Sequence, residues 1–128
     1  MELQTQWKRR VEVFKYIYAI RMSDIHGSVL KTHAFEKNEF DAEQLKIVEY
    51  FADHEQEVID KIEGQMAEGW SWNRISSVDQ AILIEAYCEV KATAIEKNIV
   101  IDQAIVTTKH YSEEKSVPYI NAILDKIL

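Results

Sequence analysis

The chain has 128 residues, 47% of them apolar, and a formal charge of −7; that length suits one domain, 1–128, with a sizeable core, and excludes a disordered polypeptide. Three glycines and one proline are too few turn residues for a sheet of many short strands, so the expected class is all-α. No apolar run reaches the roughly 20 residues that span a bilayer, and Glu12 and Lys15 interrupt the one N-terminal candidate for a signal, which predicts a cytoplasmic protein with no membrane contact.

The first predicted element runs from about Glu2 to Met22. Trp7, Val11, Phe14, Tyr18 and Met22 recur at helical spacing, and Val13, Tyr16, Ile17 and Ile20 form a second apolar stripe, so this helix is expected to pack on two sides. Residues 1–22 carry five basic side chains, Lys8, Arg9, Arg10, Lys15 and Arg21, against Glu2 and Glu12. A basic first helix therefore sits on a strongly acidic body.

Asp24, His26, Gly27 and Ser28 supply turn chemistry, after which Val29, Leu30, Ala34 and Phe35 mark a short helix. Asp41 is a good N-cap for a long helix, or two nearly collinear ones, ending near residues 64–69, with a break plausible at the polar waist from His54 to Glu57. Trp70 to Ser76 is an aromatic-rich connection. The stretch from Ser77 to Asn98 organises the rest: Ser77 with Gln80 has the form of a capping box, and the apolar residues from Val78 to Ile95 cover more than half the circumference. Such a helix must be wrapped by others, and Asn98 suits the left-handed residue that follows a last turn. A short helix capped by Asp102 and a final one, with Pro118 in its first turn and Tyr119, Ile120, Ile123, Leu124 and Ile127 inward, complete the chain.

Catalytic signals are poor. The four histidines, at 26, 33, 54 and 110, lie far apart and near no cysteine, so no metal-ligand spacing arises, and no phosphate loop, nucleophile elbow or dinucleotide fingerprint is found. No enzyme, cofactor or metal is expected. The lone Cys88 reads as a buried small hydrophobe in a reducing compartment. Two features have the form of recognition sites. Lys8, Arg9 and Arg10, with Trp7 and Tyr16 nearby, can neutralise phosphates while a ring stacks on an unpaired base; the plain alternative is a solubilising face. Trp70 and Trp72 beside Arg74 form either a binding feature or a hydrophobic plug over helix ends.

Together, Lys8-Arg9-Arg10 leading to Ile17-Tyr18, Trp70-Ser71-Trp72-Asn73-Arg74-Ile75, Val78-Asp79-Gln80-Ala81-Ile82-Leu83, Ile101-Asp102-Gln103-Ala104 and Tyr119-Ile120-Asn121-Ala122-Ile123-Leu124-Asp125-Lys126 resemble the NusB family of bacterial transcription antitermination factors. The resemblance implies an all-α bundle of about seven helices in two packed subdomains. It also implies partners: the single-stranded boxA-type element of ribosomal RNA transcripts, the ribosomal protein NusE, and through them the transcription elongation complex. It leaves a homodimer open. In this picture Lys8, Arg9, Arg10 and Lys15 belong to the RNA-binding helix, Tyr119 stacks a base, and Tyr18 and Asp79 face NusE. Core aromatic and first-turn carboxylate are the competing readings of those last two. The chain departs from the family's pattern at Ile84, where an Arg is common, and at Glu85, where an apolar residue is usual. Both changes shift charge negative, so a protein-interaction module with little RNA affinity is the alternative function.

Overall fold

The computed structural model describes residues 2–128, with side chains described from residue 5 onward. Six α-helices follow in order: α1 (Glu2–Met22), α2 (Gly27–Lys37), α3 (Ala42–Glu63), α4 (Ser77–Thr93), α5 (Lys97–Tyr111) and α6 (Val117–Ile127). Short 3-10 turns at Trp72–Arg74 and Glu114–Ser116 precede α4 and α6, and no strand occurs among the described residues. The class agrees with the sequence expectation, and six helices with two 3-10 turns stand close to the seven implied.

Every residue of α4 from Asp79 to Glu89 is buried. The helix packs against α1, α3, α5 and α6, so the first three helices and the last three share one core through it. Leu83, Ile84 and Cys88 are fully enclosed, and each large aliphatic side chain so placed stabilises the fold by about 1.5–3 kcal/mol. The end caps differ by small steps from the sequence reading. Ser76, not Ser77, is the N-cap, its hydroxyl accepting from the Asp79 amide at 3.1 Å. The helix stops at Thr93, where Ala94 takes the left-handed conformation (φ 57) that was expected of Asn98. Glu96 then caps α5 through the Asn98 amide, which leaves Asn98 and Asp102 inside that helix.

The two stripes of α1 are both used: Val11, Phe14, Val13, Tyr16, Ile17 and Ile20 are buried, and of the stripe residues only Met22, the last of the helix, is exposed. The start of α3 carries a reciprocal capping box, Gln44 N–H to Asp41 Oδ1 and Asp41 N–H to Gln44 Oε1, each 2.9 Å. The Gln44 amide also donates to the Arg9 carbonyl, tying α3 to α1. The break foreseen in α3 falls at His54 (φ −130, ψ 26), whose ring stacks on Tyr50 and whose Nδ1–H donates to the Tyr50 carbonyl. None of the described helices is long and apolar enough to cross a membrane.

Candidate nucleic-acid interface

Helical geometry separates the cations of α1. Lys8 and Lys15 lie seven residues apart on one exposed face, and Lys8 pairs with no carboxylate among the described residues. The Lys15 ammonium stands 5.0 Å above the Tyr111 ring. Arg9 points toward the start of α3 and reaches Asp41 at 3.4 Å with more than half of its side chain still exposed. Such surface pairs are worth at most about 1 kcal/mol and leave the guanidinium available.

Arg10 is different, and its expected place among the exposed RNA contacts is corrected. It is 8% exposed, its Nε donates to both Glu89 carboxylate oxygens at 2.9 Å, and its Nη1 donates to Gln103 Oε1 at 3.1 Å. The cause is the acidic pair on α4: a helix buried on all sides that carries Glu85 and Glu89 needs an internal cation, and Arg10 is the one that the α1–α4 packing delivers. Arg21, farther along α1, is likewise drawn inward, donating to Gln80 Oε1 at 2.6 Å beside the Trp72 ring.

Burial, followed by the charge of Glu89, holds the Glu85 carboxyl well above the usual carboxylate range. Its Oε2 is buried without a hydrogen-bond partner among the described residues. Retaining a proton removes the cost of a second buried charge beside Glu89. Two acids four residues apart within the otherwise apolar run from Ala81 to Val90 are the sequence signal for this network.

Asp79 is also corrected. It is 3% exposed, and its carboxylate accepts from the Ser112 hydroxyl at 2.5 Å, the Ser116 hydroxyl at 2.8 Å and the Tyr119 hydroxyl. With those oxygens engaged inside the chain, Asp79 locks the first turn of α4 to the α5–α6 junction and offers little to a partner. Burial, and the bond to Asp79, raise the Tyr119 phenol above its ordinary value. Tyr119 is half-buried, and Trp70 stacks on its ring with centroids 5.3 Å apart.

Tyr18 is half-buried in a groove of about 290 Å³ with Phe14, Lys15, Val78 and Tyr111. A larger cleft of about 580 Å³ is lined by residues including Trp70, Arg74, Ser112, Lys115 and Tyr119. The two hollows flank the first turn of α4, where Val78 borders one and Asp79 the other. Beside the groove, the Trp7 ring lies 4.9 Å from His110 and its indole N–H donates to Thr107. Along the α1–α5 seam the exposed His110 and Tyr111 rings thus lie beside half-buried Trp7 and exposed Lys15. Tyr111 and His110 were not singled out from sequence, because nothing in the end of α5 taken alone announces that it lies beside α1.

Six helices, with α1, α3, α5 and α6 packed around the buried α4, α2 against α3, and a basic first helix at the surface, define an all-helical protein of the kind seen in a solved structure described as T. maritima NusB. That chain superposes with a TM-score of 0.78 at 26% identity, covering 94% of this chain and 88% of the other. The model of the NusB family matches residues 8–128, and the chain belongs to the NusB family. Two relatives named Transcription antitermination protein NusB are similar to it. The Bacillus mycoides protein is 32% identical over 126 residues, covering 94% of this chain and 96% of the relative. The Bacillus licheniformis protein is 29% identical over 119 residues, covering 92% of each.

Proposed function

We propose that this protein is a transcription antitermination factor that binds boxA-type single-stranded RNA together with the ribosomal protein NusE, acting in the cytoplasm on ribosomal RNA transcription. The observation that carries the reading is the face of α1 on which Lys8 and Lys15 stand exposed beside the rings of Tyr111 and Trp7. Cations at this spacing neutralise phosphates along a strand, and rings with open edges accept unpaired bases whatever their sequence. Family membership supports it, since the relatives carry the antitermination name. Arg9 adds a third cation at the edge; Arg10 serves the fold.

Tyr18, in its groove with Phe14, Val78 and Tyr111, is the proposed contact for NusE. The apolar floor of Phe14, Tyr18 and Val78 suits a protein segment, and Lys15 and Tyr111 at its rim border both this groove and the RNA-facing side of α1. Linking two modest surfaces on one rigid body converts weak RNA affinity into useful affinity once the protein partner is docked. The second reading, a protein-interaction module with little RNA affinity, draws on Arg10 and Arg21, two cations of α1 turned inward. Anisotropy titration of a labelled boxA-type RNA, with and without NusE, separates the two. RNA binding strengthened by NusE supports the adaptor; NusE binding with no RNA affinity in either mixture supports the module and overturns the adaptor.

A further inference from the structure

We propose that Trp70 is a stacking plate for one unpaired base, with Arg74 and Lys115 receiving an adjacent phosphate; this rests on the RNA reading above and extends its site to the far side of α4. The resemblance places base stacking on Tyr119, yet Trp70 already covers one face of that ring. The tryptophan carries the open surface instead. It is 52% exposed, whereas Trp72, two residues on, is 6% exposed and belongs to the core.

An exposed indole is held here by several independent constraints. Gly69 adopts φ +88, a backbone conformation that side-chain-bearing residues rarely take, and the Trp70 amide closes a turn onto the Ala67 carbonyl at 3.0 Å. Arg74 donates back to the Gly69 carbonyl at 3.3 Å, so the cation and the ring are fixed in one small loop. Tyr119, the surface on which the indole rests, is anchored through its hydroxyl to buried Asp79. The plate is therefore preorganised, and little conformational freedom remains to be lost when a base arrives.

The cleft of about 580 Å³ in front of it has the chemistry of a nucleotide site. Trp70 and Tyr119 form its aromatic wall, Arg74 and Lys115 contribute cations, Glu113 contributes a carboxylate that pairs with Lys115, and the Ser112 and Ser116 hydroxyls are turned to Asp79. Lys115 is 82% exposed and pairs with Glu113 at 3.1 Å, a surface contact that a phosphate can replace. The Asp79 carboxylate is engaged by three hydroxyls and lies below the surface, so it presents no open acceptor to an incoming strand. A ring with an open face and guanidinium within one loop is the arrangement by which proteins hold single-stranded nucleic acid without reading its sequence.

The test is an anisotropy titration, with NusE present, of a labelled single-stranded RNA and of a set in which each nucleotide in turn is abasic. Wild type, Trp70→Leu, Trp70→Phe and Lys8→Ala/Lys15→Ala are compared. One abasic position is expected to weaken wild type about tenfold. Trp70→Leu is expected to weaken the intact RNA by a similar factor and to be indifferent to that abasic position, while Trp70→Phe, which retains a ring, stays near wild type. If no abasic position matters, or if Trp70→Leu binds RNA as wild type does while Lys8→Ala/Lys15→Ala binds more weakly, the plate is wrong and the RNA reading stands. Loss of NusE affinity with RNA affinity unchanged makes Trp70 a protein contact and overturns the proposal. Failure of the wild type to bind any of the RNAs removes the RNA reading itself. The abasic series on wild type needs no variant, so misfolding of Trp70→Leu does not protect the idea.

Discussion

Arg10 and Glu89 join α1 to α4 in the middle of the molecule: the guanidinium Nε lies 2.9 Å from both carboxylate oxygens, and both side chains are over nine-tenths buried. A charge pair of this kind contributes little against an apolar pair of equal volume, but losing one member strands the other in the core. Arg10→Ala is expected to destabilise the protein by about 3–5 kcal/mol in urea unfolding, and Arg10→Met with Glu89→Leu by much less. An Arg10→Ala protein as stable as wild type would show the pair to be dispensable.

The neighbouring Glu85 makes stability depend on pH. Its folded carboxyl lies well above the usual range because of burial and then Glu89, so the folded chain holds a proton that the unfolded chain has released. Stability therefore falls as pH rises from the unfolded value, about 4.3, toward the folded one. Glu85→Gln keeps the shape without the ionisation, and relative to wild type it should gain stability between pH 5 and pH 8. Parallel pH profiles for the two proteins would contradict the assignment.

His26 works in the same sense at higher pH. Hydrogen bonds to Asp24 and then Glu55 raise the imidazole above its ordinary value, and the ring bridges the α1–α2 turn to α3 just past the His54 kink. Its contribution is fully present below the unfolded value, about 6.5, and is lost as pH rises through the folded one. His26→Gln should cost less than about 1 kcal/mol at pH 5.5, because the site is exposed and screened. At pH 8.5 it should cost still less. An equal cost at both pH values, measured by chemical denaturation, would show that charge plays no part.

Ala94 ends α4 with φ 57 and is exposed. A methyl-bearing residue pays a steric penalty there that glycine avoids. Ala94→Gly should stabilise the fold by about 1 kcal/mol and raise the melting temperature by about 4 °C. A lower melting temperature would mean that the Ala94 methyl makes compensating contacts.

What could be read from the chain followed local chemistry. Asp41 with Gln44, the polar waist at His54, Pro118 in the first turn of α6 and the saturated apolar surface of α4 each carry their own signal within a few residues. Positions decided by distant partners were not legible. Arg9 and Arg10 are adjacent and chemically alike, yet one faces water and the other Glu89, seventy-nine positions away. Asp79 satisfies every rule for a first-turn carboxylate, and only the arrival of Ser112, Ser116 and Tyr119 makes it an internal clamp. The end of α4 was misplaced because Ala94 has low intrinsic preference for the conformation it adopts; the turn into α5, capped by Glu96, imposes it.

The account rests on exposed cations of α1 meeting RNA, and the salt dependence of binding tests this most directly. Affinity for boxA-type RNA is to be measured with NusE present across a series of salt concentrations, for wild type and for Lys8→Ala/Arg9→Ala/Lys15→Ala. Each phosphate contact on a single strand contributes about 0.7 to the slope of log affinity against log salt, so the variant's slope should be shallower by about 2 and its affinity lower at every concentration. A variant whose affinity and slope match those of wild type would contradict the account.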